Sequence, residues 1–139
     1  MKIYFAGAIR GGREETDIYN NIITYLSSKA EVLTEHVGSS ELKTIGETNR
    51  SDGEIFLRDM EWLQSADLVI AEVTTPSLGV GYELGIAEKL KIPILCLYRP
   101  MQGKRLSAMV SGNQKFICAE YKTLDDAIQH IDSFINQEK

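Results

Sequence analysis

Lys2-Ile3-Tyr4-Phe5-Ala6-Gly7-Ala8-Ile9-Arg10-Gly11-Gly12 decides how the rest of the chain is read. Lys2 to Gly7 is a nearly continuous apolar run ending in a glycine-rich stretch. Ile18, Ile22, Ile23 and Leu26 then recur at helical spacing, so the segment is a strand, a glycine turn and a helix. Glu31 to Thr34 follows as a second strand, and the polar, aperiodic stretch from Glu35 to Arg50 is a surface loop of a length that tends to be functional. Ser51 or Asp52 caps a helix running to about Ser65. A strand from Asp67 to Val73 comes next, with a loop through Pro76 and a helix from near Ser77. Ile92 to Tyr98 is the most hydrophobic strand, Phe116 to Ala119 a weaker one, and a last helix covers about Thr123 to Asn136.

Apolar strands alternating with helices predict a parallel sheet covered on both faces, because a one-sided antiparallel sheet would alternate polar and apolar residues. The expected fold class is α/β: a doubly wound five-stranded parallel sheet, flavodoxin-like or Rossmann-like, in a single domain over 1–139. In such sheets ligands bind at the carboxyl ends of the strands, where the winding order reverses.

Composition narrows the function. A chain of 139 residues, 43% hydrophobic and 25% charged, is sized and composed for one packed core. A formal net charge of −5 without a basic stripe argues against a nucleic-acid polymer as partner. Apolar runs such as Ile92 to Tyr98 fall far short of the roughly 20 residues of a membrane span, and Met1-Lys2-Ile3 leads straight into a strand without a signal-peptide pattern. The expectation is a soluble, cytoplasmic protein. Cys96 and Cys118 are too few for a disulfide framework and read as core residues; with His36 and His130 they form no metal-ligand spacing, so no protein-built metal site is expected.

Two carboxylates interrupt apolar faces. Asp59 falls within the stripe of Ile55, Phe56, Trp62 and Leu63, and Glu83 shares one with Gly79, Ile86, Ala87 and Leu90. Burying an unpaired carboxylate costs several kcal/mol, roughly, so each faces a polar cleft, pairs with a cation or is protonated. Either they border a solvated face or pair with Arg58 or Lys89, or they share one pocket as general acid and nucleophile, as in glycoside hydrolysis. Ser77-Leu78-Gly79-Val80-Gly81, directly after a strand, offers a hydroxyl and helix-start amides to a phosphate, and Arg10 emerges at the same sheet edge; a plain helix cap is the alternative. Trp62 reads as core by its helical spacing.

Tyr4-Phe5-Ala6-Gly7-Ala8-Ile9-Arg10-Gly11-Gly12-Arg13, Leu33-Thr34-Glu35-His36-Val37, Asp59-Met60-Glu61-Trp62-Leu63, Ser77 through Gly85 and Leu106-Ser107-Ala108-Met109 closely resemble the 2′-deoxynucleoside 5′-phosphate N-hydrolases, within the nucleoside 2-deoxyribosyltransferase superfamily. The resemblance implies hydrolysis of the N-glycosidic bond of a deoxynucleoside monophosphate to a free base and 2-deoxyribose 5-phosphate. It implies Glu83 as nucleophile, Asp59 as second catalytic acid and Tyr4 as the tyrosine that orients the nucleophile. Phosphate recognition falls on Arg10, Ser77, the backbone around Gly79, and Ser107 from the neighbouring subunit of a homodimer. Ile9, Tyr19 and His36 match the base and sugar pocket, and Gly7, Gly11, Gly12, Ala108 and Met109 complete the substrate-binding set. The resemblance departs at Ala8, where relatives can carry a serine, which removes one phosphate donor. A deoxyribosyltransferase that exchanges bases on the same fold, and a non-catalytic nucleotide-binding protein, are the alternatives; the serines at 77 and 107 favour a phosphorylated substrate. Base preference is left open.

Overall fold

Strand β1 (Lys2–Ala6) lies inside the sheet, and every strand beside it is parallel. The computed structural model describes residues 1–9, 16–34, 37 and 48–139. Among these, the chain continues through α1 (Thr16–Ser27), β2 (Glu31–Val32), α2 (Asp52–Ser65), β3 (Leu68–Glu72), α3 (Leu78–Lys89), β4 (Ile94–Tyr98), α4 (Ala108–Ser111), β5 (Ile117–Glu120) and α5 (Leu124–Glu138). The strand order β2-β1-β3-β4-β5 is the flavodoxin-like one of the two doubly wound arrangements expected from the sequence, and its order reverses between β1 and β3.

The pleat sorts each strand onto two cores. Ile3 and Phe5 of β1, Leu68 and Ile70 of β3, and Leu95 and Leu97 of β4 pack with Tyr19, Ile22 and Leu26 of α1 and with Ile131 and Phe134 of α5. Tyr4, Ala6, Val69, Ala71, Ile94 and Cys96 face the other way, against Leu63 of α2 and Val80, Leu84 and Ala87 of α3. Tyr4 thus belongs to the α2/α3 face because its neighbours in β1 belong to the other.

The strand expected over Glu31 to Thr34 is shorter in its regular part. Leu33 N–H still donates to the Ile3 carbonyl at 3.0 Å, but the ladder then passes to a side chain. The Thr34 hydroxyl accepts from Phe5 N–H at 2.8 Å and donates to the Phe5 carbonyl at 2.6 Å, standing in for a backbone amide. Most of the Glu35 to Arg50 loop lies outside the described residues.

Two readings are corrected. Phe56, placed by its spacing in the inward stripe of α2, is 50% exposed, and only Leu63 of that helix is fully buried, because α2 turns just one edge to the sheet and leaves its outer face uncovered. Cys118, read as core, is exposed: β5 is the edge strand and the four-residue α4 is too short to roof it. Helix ends follow local chemistry. Ser51 and Glu54 close a capping box on α2, and Thr123 and Asp126 do so on α5. No helix among the described residues is long and apolar enough to cross a membrane.

Candidate active site

Beside the reversal point, three side chains from three elements meet. Tyr4 comes from β1, Asp59 from α2 and Glu83 from the second turn of α3. The Tyr4 phenol and the Glu83 carboxylate act on each other's ionisation, and the Asp59 charge acts on both groups. Burial pushes the Tyr4 phenol far above its ordinary range, the charges of Glu83 and Asp59 add to this, and Arg58 opposes it. Tyr4 is therefore a neutral donor at physiological pH. Glu83 is raised from 4.5 to about 7, first by desolvation and further by Asp59, while the Tyr4 hydrogen bond pulls it down.

Asp59 is held from its own helix. Arg58 Nε and Nη2 both reach Asp59 Oδ1, at 3.0 and 2.9 Å, and the guanidinium lies 4.6 Å from the Trp62 ring centroid. The Arg58 ion pair is thus formed, and an acid fixed by its neighbour still projects its field onto Glu83. Trp62 is partly buried against the α2/α3 core and doubles as the platform for Arg58.

Above Glu83 sits the start of α3. Ser77 is its N-cap, with Oγ accepting from Val80 N–H at 3.3 Å. A Cβ built on Gly79 would lie 3.8 Å from Ser77 Oγ and 3.9 Å from Glu83 Oε1, so Gly79 leaves open the space between the capping hydroxyl and the carboxylate. That arrangement suits a sugar phosphate: helix-start amides and a hydroxyl for the anion, a carboxylate for the ring.

A family model for nucleoside 2-deoxyribosyltransferase matches residues 3–127. The chain belongs to this family. It is 47% identical to a 5-hydroxymethyl-dUMP N-hydrolase of Tetraodon nigroviridis, with 100% of both chains covered. It is 57% identical to a protein of that name in Esox lucius over 81% of this chain and 79% of that one. The fold is shared with the Clostridium botulinum CMP N-glycosidase BcmB at a TM-score of 0.68 and 17% identity, covering 96% of this chain and 99% of that one.

The family's other expected positions divide into three groups. Gly7, Ala8 and Ile9 leave β1 beside the site. Gly7 packs on the Tyr19 ring, which a Cβ would approach to 3.0 Å, and Ala8 N–H donates to the Tyr19 hydroxyl at 3.1 Å. Tyr19 is fully buried, so it shapes the site by carrying this turn from below. Ser107, Ala108 and Met109 stand exposed on α4, where Ser107 is the N-cap and accepts from Met109 N–H at 3.3 Å. Arg10, Gly11, Gly12 and His36 lie outside the described residues.

Sequence reasoning passed over Glu72 and Thr74. Glu72 ends β3 fully buried; its Oε1 accepts from Thr74 N–H at 3.0 Å and from the Thr74 hydroxyl, and Thr74 Oγ1 accepts from Arg99 N–H at 2.9 Å. This knot ties the turn leading to Ser77 to the chain leaving β4. Its signal in the sequence was a carboxylate closing the apolar run Leu68-Val69-Ile70-Ala71-Glu72. Among the described residues no cluster of three or more metal-ligating side chains occurs.

Proposed function

We propose that the protein is an enzyme, a single domain over 1–139, that hydrolyses the N-glycosidic bond of 2′-deoxynucleoside 5′-monophosphates to a free base and 2-deoxyribose 5-phosphate. The observation that carries this reading is the junction of Glu83 with Tyr4 and Asp59 beneath the Ser77 helix start. Ionised Glu83 attacks the anomeric carbon as the base departs, and the covalent glycosyl-enzyme is then cleaved by water. Tyr4 holds the carboxylate in line by its hydrogen bond, and Asp59 serves proton transfer to the departing base. A 2-deoxy sugar lacks the electron-withdrawing 2′-hydroxyl, so its oxocarbenium-like transition state needs only modest stabilisation. Ser77, the amides around Gly79 and Arg10 take the phosphate, while Ile9 and His36 border base and sugar. The relatives' names make 5-hydroxymethyl-dUMP the first nucleotide to try.

Ser107, with Ala108 and Met109, completes the site of a second copy in a homodimer. Exposed apolar side chains support this. Phe56 and Tyr82 pair across α2 and α3 with ring centroids 6.3 Å apart, Leu78 at the start of α3 is 97% exposed, and Met109 is 82% exposed. The reading requires no metal or organic cofactor and sets the enzyme in the cytoplasm.

The test is incubation with a panel of deoxy and ribo monophosphates, with and without a second free base, followed by chromatography. Base release with sugar 5-phosphate, abolished in Glu83→Ala while nucleotide still raises the melting temperature of that variant, is expected. Predominant base exchange would make the protein a transferase, and absence of base release would make it a nucleotide-binding protein.

A further inference from the structure

The pairing of β4 with β5 sets Cys96 directly opposite Cys118. Adjacent strands lie about 4.8 Å apart and paired residues of a parallel sheet project to one face, a separation within the Cα range that disulfides span. The two thiols act on each other's ionisation. Their surroundings differ: Cys96 is fully buried in the α2/α3 core, whereas Cys118 is exposed. Cys118 also lines a cleft of about 390 Å³ together with Tyr98, Lys104, Arg105, Ser111 and Glu120. Two cations against one carboxylate give the cleft a net positive lining.

We propose that Cys96 and Cys118 are a redox-active dithiol, oxidised to a cross-strand disulfide by an anionic small-molecule disulfide that docks in this cleft. The Cys118 thiolate attacks one sulfur of the incoming disulfide. A mixed disulfide forms, and the expelled half leaves as a thiolate that takes up the proton Cys118 lost. Cys96 then attacks Cys118 Sγ, expelling the second half, which carries off the Cys96 proton. Two protein thiols are oxidised by two electrons, and one small disulfide is reduced to two thiols.

The roles follow from environment. Burial raises both thiols, but hydrogen bonding with Cys96 lowers Cys118, so Cys118 ionises first and is also the one within reach. Lys104, Arg105, Glu120 and Tyr98 are the other titratable groups that line the cleft. The rate therefore climbs as the solution becomes alkaline. A structural consequence accompanies oxidation. Cys118 Sγ donates to the Val110 carbonyl at 3.6 Å, tying α4 to β5, and a disulfide has no proton with which to do so.

The test treats the full chain with oxidised glutathione and, in parallel, with the uncharged hydroxyethyl disulfide, following intact mass and thiol alkylation. The expected result is loss of two hydrogens from the wild type, with both cysteines protected from alkylation and recovered by dithiothreitol. It proceeds faster with oxidised glutathione, and amide exchange over Met109–Gly112 speeds up in the oxidised form. Cys96→Ala should instead hold one glutathione on Cys118. A wild type that keeps a stable glutathione adduct, or whose thiols both stay open to alkylation, overturns the dithiol. Equal rates with the uncharged reagent overturn docking in the cleft. Peptide mapping of the wild type carries the test if Cys96→Ala does not fold.

Discussion

Tyr4 of a central strand and Glu83 of α3 act on each other's ionisation, linking strand to helix beside the point where the sheet reverses its winding. The interaction matters because Glu83 sits at about 7, where small changes in its surroundings alter how much of it is ionised at physiological pH.

Turnover by an ionised Glu83 should have an acid limb near this midpoint. Tyr4→Phe removes the interaction that lowers Glu83, so its limb moves to higher pH. Asp59→Asn removes a charge that raises Glu83, so its limb moves to lower pH. The substrate phosphate also titrates, at about 6, but comparison on one nucleotide cancels that contribution. In Tyr4→Phe, kcat at the new optimum falls by about tenfold or more, as expected for losing a hydrogen bond to a charged group worth roughly 1.5–3 kcal/mol. Shifts of the same sign in both variants would refute the electrostatic assignment.

The raised Glu83 also predicts stability. The folded state retains the proton up to about 7 whereas the unfolded chain releases it near 4.5, so the wild type loses stability as pH rises through that interval. Glu83→Gln carries no charge and escapes the loss. Its advantage in denaturant unfolding should be small below the interval and reach about 1–3 kcal/mol above it. An advantage that does not change with pH would contradict the burial of a carboxylate here.

Gly79→Ala should separate stability from function. The new methyl meets Ser77 Oγ and Glu83 Oε1 at 3.8 and 3.9 Å, ordinary contacts, so the fold accepts it. Removing a glycine from a helix gains about 0.5–1 kcal/mol. The methyl also occupies the space above the carboxylate, and KM for a deoxynucleotide should rise at least tenfold, about 1.4 kcal/mol. Calorimetry and steady-state kinetics on one preparation decide it.

Gly7→Ala presses a Cβ to within 3.0 Å of the fully buried Tyr19 ring, which has no room to withdraw. Overpacking of this kind costs typically about 1–3 kcal/mol. Tyr19→Phe removes the acceptor for Ala8 N–H and should cost about 1–3 kcal/mol, the range for stranding a buried donor. Because Gly7 and Ala8 lead directly to Arg10, both variants should raise KM for nucleotide more than they lower kcat.

The winding of the sheet was legible in the chain because apolar runs such as Ile92 to Tyr98 and Leu68 to Val73 are long enough only for strands buried on both sides, and the stretches between them carry helical spacing and caps at Ser51, Ser77 and Thr123. Those same continuous runs conceal which face each residue takes, so nothing local distinguished Tyr4 from Ile3 or Phe5; only the motif resemblance singled it out. Phe56 and Cys118 were misread for a related reason. Spacing records that a residue is apolar, and whether a neighbour exists to cover it depends on elements distant in sequence.

By itself the sequence determined the α/β class, the glycine turn after the first strand, the helix start at Ser77 and the two acids set into apolar faces, since each follows from spacing over a few residues. The tertiary structure decided that Tyr4 interacts with Glu83, that the Asp59 charge reaches Glu83, and that Cys96 stands opposite Cys118. Those are relations between segments separated by many residues, and they come into being only when strand pairing fixes the register and burial strips water from the carboxylate.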